Sequence, residues 1–138
     1  MAGYRRLGVA ALLCACMAVG AAQAQALQRA EVLGTWTLRM TPAEGGNVTV
    51  KTDSGRVDMP VIVTNRGASA IACVVDGEAA DCRLNRGALV ITLRIDDARM
   101  TYTLNGRRTG GFTGDARISY RLLPFGSMHL GAVDLTRR

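Results

Sequence analysis

A chain of 138 residues, 49% apolar with 16 glycines, has the length of one domain with a real core and leaves no room for a second. Its formal net charge of +6 is carried almost wholly by arginine, because Lys51 is the sole lysine, and the arginines are spread along the chain instead of forming the basic tract of a nucleic-acid-binding segment. Moderate positive charge suits an acidic partner, such as an anionic membrane surface, a polyanion or nucleic acid, but arginines spread along the chain favour the plainer reading of a solvated basic surface on an exported protein.

Residues 1–24 read as an export signal. Arg5 and Arg6 precede an apolar run over 7–22, and the small-x-small sites Ala22-Gln23-Ala24 and Ala24-Gln25-Ala26 follow it. Cleavage after Ala24 leaves a single mature domain, residues 25–138, in the periplasm or outside a bacterial cell. Without Arg5 and Arg6 the 17 basic residues become 15 against 11 acidic ones, a net charge of +4. The apolar run is short of the roughly 20 residues that span a bilayer, and no later run matches it, so no transmembrane span is expected in the mature chain. Leu13-Cys14-Ala15-Cys16 approximates a bacterial lipobox, which gives an alternative product lipidated at Cys16.

From there the chain reads as strands, with apolar residues at period two and turn residues between them. Val32, Trp36, Leu38 and Met40 share one face of the first strand, and Val48 and Val50 begin a second segment after Pro42 and two glycines. Asp53-Ser54-Gly55 turns the chain. Val57, Met59, Val61 and Val63 alternate next, and Pro60 marks an edge, a bulge or a strand start. Asn65-Arg66-Gly67 is the following turn.

Cys14 and Cys16 leave with the signal, so the mature chain keeps Cys73 and Cys82, an even pair that becomes a bridge in an oxidising compartment. With Gly77-Glu78 as the central pair of a two-residue turn, paired positions sum to 155, which sets Cys73 directly across from Cys82 within disulfide reach. The rival, a metal or redox pair, lacks a Cys-x-x-Cys, and with His129 the only histidine a four-ligand zinc site cannot be assembled. Asn85-Arg86-Gly87 turns into Leu89, Ile91, Leu93 and Ile95, and Asp96-Asp97 closes that strand. Met100, Tyr102 and Leu104 lead to Asn105-Gly106, the strongest short-range hairpin signal in the chain. Ile118, Tyr120 and Leu122 alternate after a glycine-rich stretch. After Pro124-Phe125-Gly126 the last strand moves its apolar set from Met128 and Leu130 to Val133 and Leu135, so Gly131 marks a bulge.

Eight to ten short strands joined by hairpins, with no helical period after Glu31, make an all-β domain. Closure into a small antiparallel up-and-down barrel, the last strand pairing with the first, removes the edges that an open sheet exposes. A two-sheet sandwich is the alternative.

Gly34-Thr35-Trp36, near the start of the first strand, resembles the Gly-x-Trp signature of the lipocalin and calycin superfamily. The resemblance implies a small barrel whose base is crossed by the tryptophan and covered by an arginine from a late strand. Trp36 matches that tryptophan, and Arg121 or Arg137 is the candidate arginine. Without the resemblance, Trp36 is a core residue that closes a small barrel. In length, export and single disulfide the chain is also similar to bacterial periplasmic inhibitors of secreted metalloproteases. In that family the mature N-terminal segment, here residues 25–31, enters the protease cleft.

No constellation supports catalysis, and neither a cofactor nor a metal is implied. His129 has no Gly-x-Ser-x-Gly partner motif, Asp96-Asp97 is a turn, and Gly106-Arg107-Arg108-Thr109-Gly110-Gly111 lacks the order of a phosphate loop. Arg107 and Arg108 are the candidate surface for a polyanion. Asn47-Val48-Thr49 matches a glycosylation sequon by chance in a bacterial chain. The function expected is that of an exported non-enzymatic binding protein, taking a protein partner or a small apolar ligand; the alternative is the metalloprotease inhibitor.

Overall fold

The computed structural model describes residues 26–45, 57–124 and 126–138. A single helical turn, α1 (Arg29–Val32), precedes eight strands: β1 (Gly34–Pro42), β2 (Val57–Arg66), β3 (Ala70–Val75), β4 (Glu78–Asn85), β5 (Ala88–Ile95), β6 (Ala98–Arg108), β7 (Gly111–Tyr120) and β8 (Ser127–Arg137). Each strand pairs antiparallel with its neighbour in sequence, and β8 pairs with β1, so the sheet is a closed up-and-down barrel and not a sandwich. The alternation read from the sequence gives each strand its inward face. Trp36, Leu38 and Met40 of β1, Val61 and Val63 of β2, and Leu89 and Ile91 of β5 all turn inward into one buried core. The signal segment, the segment holding Val48 and Val50, the sequon and the turn at Asp53 lie outside the described residues. Among the described residues no helix is long and apolar enough to cross a membrane.

Three local expectations are corrected. The β3–β4 turn is Asp76-Gly77, not Gly77-Glu78: both residues have positive φ, 51° and 81°, as a two-residue mirror-image turn requires. Ala80 therefore stands opposite Cys73. The ladder ends there, and β4 is drawn inward so that Cys82 lies 5.9 Å from Cys73 between Cα atoms and the disulfide forms. Diagonal neighbours in a regular ladder are about 7–8 Å apart, so the bond holds Cys82 closer to β3 than regular pairing would, just where the ladder stops. Asn105-Gly106 is not a hairpin turn: β6 runs on to Arg108, and Thr109-Gly110 makes the turn. Pro60 lies inside β2, opposite Thr37. Its carbonyl faces β3, where it accepts from the Asp76 N–H, and the β2–β3 ladder starts only at Val61. Its missing N–H thus points past the end of a ladder, because both backbone groups of a strand residue face the same side.

Two bulges set which arginines face inward. In β8 the register steps from Ala116↔Gly131 to Arg117↔His129, the bulge expected at Gly131, and Arg137 thereby falls across from the inward Trp36. In β6 the register steps from Leu104↔Gly114 to Gly106↔Thr113, leaving Asn105 as the extra residue. Arg107 then stands across from the buried Phe112 and turns inward, while Arg108 turns outward.

Candidate functional site

One end of the barrel is sealed. Trp36 is 1% exposed and its indole N–H donates to the Val32 carbonyl at 2.8 Å. The Arg137 guanidinium carbon sits 4.2 Å from the centroid of the indole ring, so Arg137 is the covering arginine; Arg121, whose backbone N–H donates to the Asp97 carbonyl, lies at the opposite end. Arg137 also donates to the Leu33 and Glu31 carbonyls, at 3.4 and 3.3 Å. Phe112 packs on Trp36 at 5.4 Å between ring centroids. Gly34 has φ 132°, a conformation that residues with a side chain rarely adopt, and a Cβ there would also stand 2.7 Å from Arg137 Nη1, so the backbone calls for the glycine of Gly-x-Trp and the arginine packs closely over it.

The segment 26–33 closes this end like a stopper. Leu27 is 3% exposed, and its N–H donates to the Gly87 carbonyl at 2.8 Å. Arg107 grips Glu31 with both guanidinium nitrogens, at 2.6 and 2.9 Å, and donates to the Ala26 carbonyl. Arg29 donates to the Gly67 and Ala68 carbonyls of the β2–β3 turn. The fork from Arg107, and then the Gln28 N–H, hold the Glu31 carboxyl down at about 2. The described part of the segment assigned to a protease cleft is therefore folded onto its own barrel.

The sequence-predicted polyanion pair is split because adjacent strand residues face opposite sides, and the β6 bulge makes Arg107 the inward one. Arg107 is committed to Glu31, and Arg108 reaches Asp134 of β8 at 2.8 Å. His129 is exposed across from Arg117, and Asp96-Asp97 is the β5–β6 turn. Burial pushes the Tyr102 phenol up to about 12, so it is a neutral core residue. Among the described residues no group of three His, Cys, Asp or Glu side chains is placed to hold a metal ion.

A different set of arginines converges on the outer wall. Where β4 leaves β3, an open groove of about 650 Å³ forms over the disulfide, lined by Arg66, Arg83, Arg94 and Arg99, with Asp81 the one carboxylate on its walls. Among the described residues none of these four arginines has an ion pair or a side-chain hydrogen bond, whereas Arg39, Arg107 and Arg108 are all paired with carboxylates. Arg94 stands directly across from Arg99, a like-charge juxtaposition that costs the sheet stability. A second groove of about 510 Å³ shares both residues and continues to Arg121 past Asp96 and Asp97. Unpaired guanidinium forks facing one depression suit phosphate, sulfate or carboxylate groups.

Run-together charge in the sequence did not disclose this site, since its arginines belong to β2, β4, β5 and β6. One signal was present: a two-residue turn at Asp96-Asp97 fixes 95 against 98 and therefore Arg94 against Arg99. Compared with known proteins, the chain matches no family model, no curated protein and no solved structure.

Proposed function

We propose that the protein is an exported, non-enzymatic binding module of the bacterial envelope, lipocalin-like in plan, that takes an acidic partner on the outer wall of its barrel. The observation that carries this is the groove of four unpartnered arginines, two of them held face to face. Clustered like charge without internal partners is costly in a folded domain and is relieved by a bound anion. The lumen offers less. Trp36, Tyr102, Leu38, Met40, Leu89, Ile91, Leu104 and Leu135 are fully buried within it, and an eight-stranded barrel is just wide enough to be filled by such side chains. The lipocalin-like plan is supported by Gly34, Trp36 and Arg137 standing together at the sealed base. Export is supported by the disulfide, which belongs to an oxidising compartment.

The test is retention of the mature domain on immobilised polyphosphate as salt is raised. Arg83→Gln/Arg94→Gln/Arg99→Gln should elute at clearly lower salt than a control that removes the same charge at Arg29, Arg39 and Arg117. Equal shifts would reduce the groove to bulk charge and overturn the proposal. Quenching of Trp36 by lipophilic probes would move the site into the lumen. Inhibition of a secreted metalloprotease that vanishes when residues 25–31 are deleted would replace this function with the inhibitor, an outcome the docked Leu27 and the Glu31–Arg107 pair do not favour.

A further inference from the structure

We infer that the acidic partner is an anionic lipid surface, docked on the rim of the barrel opposite the sealed end; the inference rests on the wall-binding function proposed above. The three most exposed large apolar side chains among the described residues lie on this rim, ahead of Ile62 and Val74, which pair on the β2–β3 ladder. Leu122 is 81% exposed, Leu123 46% and Ile95 50%. Ile95 ends β5 beside the β5–β6 turn, and Leu122 and Leu123 lie in the segment after β7; the two places are tied together by the Arg121 N–H donating to the Asp97 carbonyl at 2.9 Å. Around them stand Arg94, Arg99 and Arg121, which line the second groove, and Arg94 and Arg99 continue into the first.

Exposed leucines beside arginines are the two halves of an interfacial membrane contact: the apolar tips enter the headgroup boundary, and the guanidinium groups meet lipid phosphates. A soluble polyanion uses only the second half. The rim itself is not strongly basic, since Asp96 and Asp97 face the second groove and oppose Arg94, Arg99 and Arg121. Charge alone therefore does not account for this rim, and the apolar tips separate a bilayer from an acidic polymer. Nucleic acid fits poorly, because the first groove has no aromatic side chain on which a base could stack.

The experiment is co-sedimentation of the mature protein with phosphatidylcholine vesicles, with and without phosphatidylglycerol, run beside the polyphosphate column. Binding to the phosphatidylglycerol vesicles and not to the neutral ones is expected. Leu122→Ser/Leu123→Ser should weaken vesicle binding by about tenfold or more while leaving polyphosphate retention unchanged, since interfacial affinity scales with buried apolar area. Both leucines are exposed, so the variant keeps the fold, which near-ultraviolet dichroism of Trp36 verifies. Arg94→Gln/Arg99→Gln should lose both activities. Retention on polyphosphate without vesicle binding, or vesicle binding indifferent to the leucine changes, would overturn the lipid partner and leave the basic wall standing, with an acidic polymer or protein in its place. Loss of both activities in the wild type would overturn the two proposals together.

Discussion

The sealed end of the barrel and its β3–β6 wall use the same residue type in opposite ways. At the sealed end Arg137 lies on Trp36, Arg107 forks onto Glu31, and Arg29 caps the β2–β3 turn with its guanidinium. On the wall Arg66, Arg83, Arg94 and Arg99 border a groove and have no carboxylate partner among the described residues. A guanidinium whose donors are used inside the protein is part of the fold. One whose donors face a concavity is available to a ligand. The inward turn of Arg107 and Arg137 at the sealed end follows from strand parity, which the bulges of β6 and β8 reset.

Breaking the sealed end should have the largest effect. Trp36→Ala removes a fully buried indole together with the stack of Phe112 and the seat of Arg137, and should cost about 3–5 kcal/mol, a large part of the stability of a domain this size. Chemical denaturation measures it; a loss under ~1 kcal/mol would mean that Leu27 and Phe112 seal the barrel without the ring. Next comes the disulfide under the groove. Cys73→Ala/Cys82→Ala opens a loop of nine residues' separation and should cost about 3 kcal/mol or a little less. Wild-type protein should show no free thiol when denatured, and two titratable thiols would remove the staple from the account.

A smaller effect belongs to the stopper. The Glu31 carboxyl is held at about 2 in the folded chain against an ordinary 4.5, first by the Arg107 fork and then by the Gln28 N–H. A carboxylate with a depressed folded value contributes stability that is present above its unfolded value and is lost as pH falls from about 4.5 toward about 2. The pair is solvent-exposed, so salt should shrink the contribution. Melting temperatures of wild type and Glu31→Gln should converge as pH falls through that window. Parallel curves would show that Leu27, and not the ion pair, holds the segment down.

The sealed end and the wall also differ in how much of each was legible in the sequence. Period-two alternation and the punctuating turns specified an all-β domain but left a barrel and a sandwich both open, with closure favoured by the cost of exposed edges; Gly131 announced its bulge because the apolar set visibly changed face. Cys73 and Cys82 announced their bond, although the turn was placed one residue late: Asp76 takes the left-handed conformation that was reserved for glycine. Asn105-Gly106 misled for a related reason. A dipeptide tolerant of positive φ serves a bulge as readily as a turn, and Thr109-Gly110 supplied the turn instead. That displacement moved Arg107 from the surface to Glu31, a partner 76 residues away that no local pattern discloses. The groove was illegible because it depends on where the β3–β4 ladder stops and on the arginines that four different strands bring to one wall, which no local pattern discloses.

The smallest expected effect has the opposite sign, and it separates the two regions most sharply. Replacing an arginine at the sealed end removes a partner; replacing one on the wall removes a repulsion. Arg94 stands directly across from Arg99 in the β5–β6 ladder and has no ion pair among the described residues, so Arg94→Gln should raise stability by roughly 0.2–1 kcal/mol, the range for cross-strand pair terms. The same change should lower the salt needed to elute the protein from polyphosphate. A gain in stability coupled to a loss of binding is what a residue kept for a ligand produces. If Arg94→Gln instead destabilises the barrel, the guanidinium is serving the sheet, and the wall would belong with the sealed end as structure.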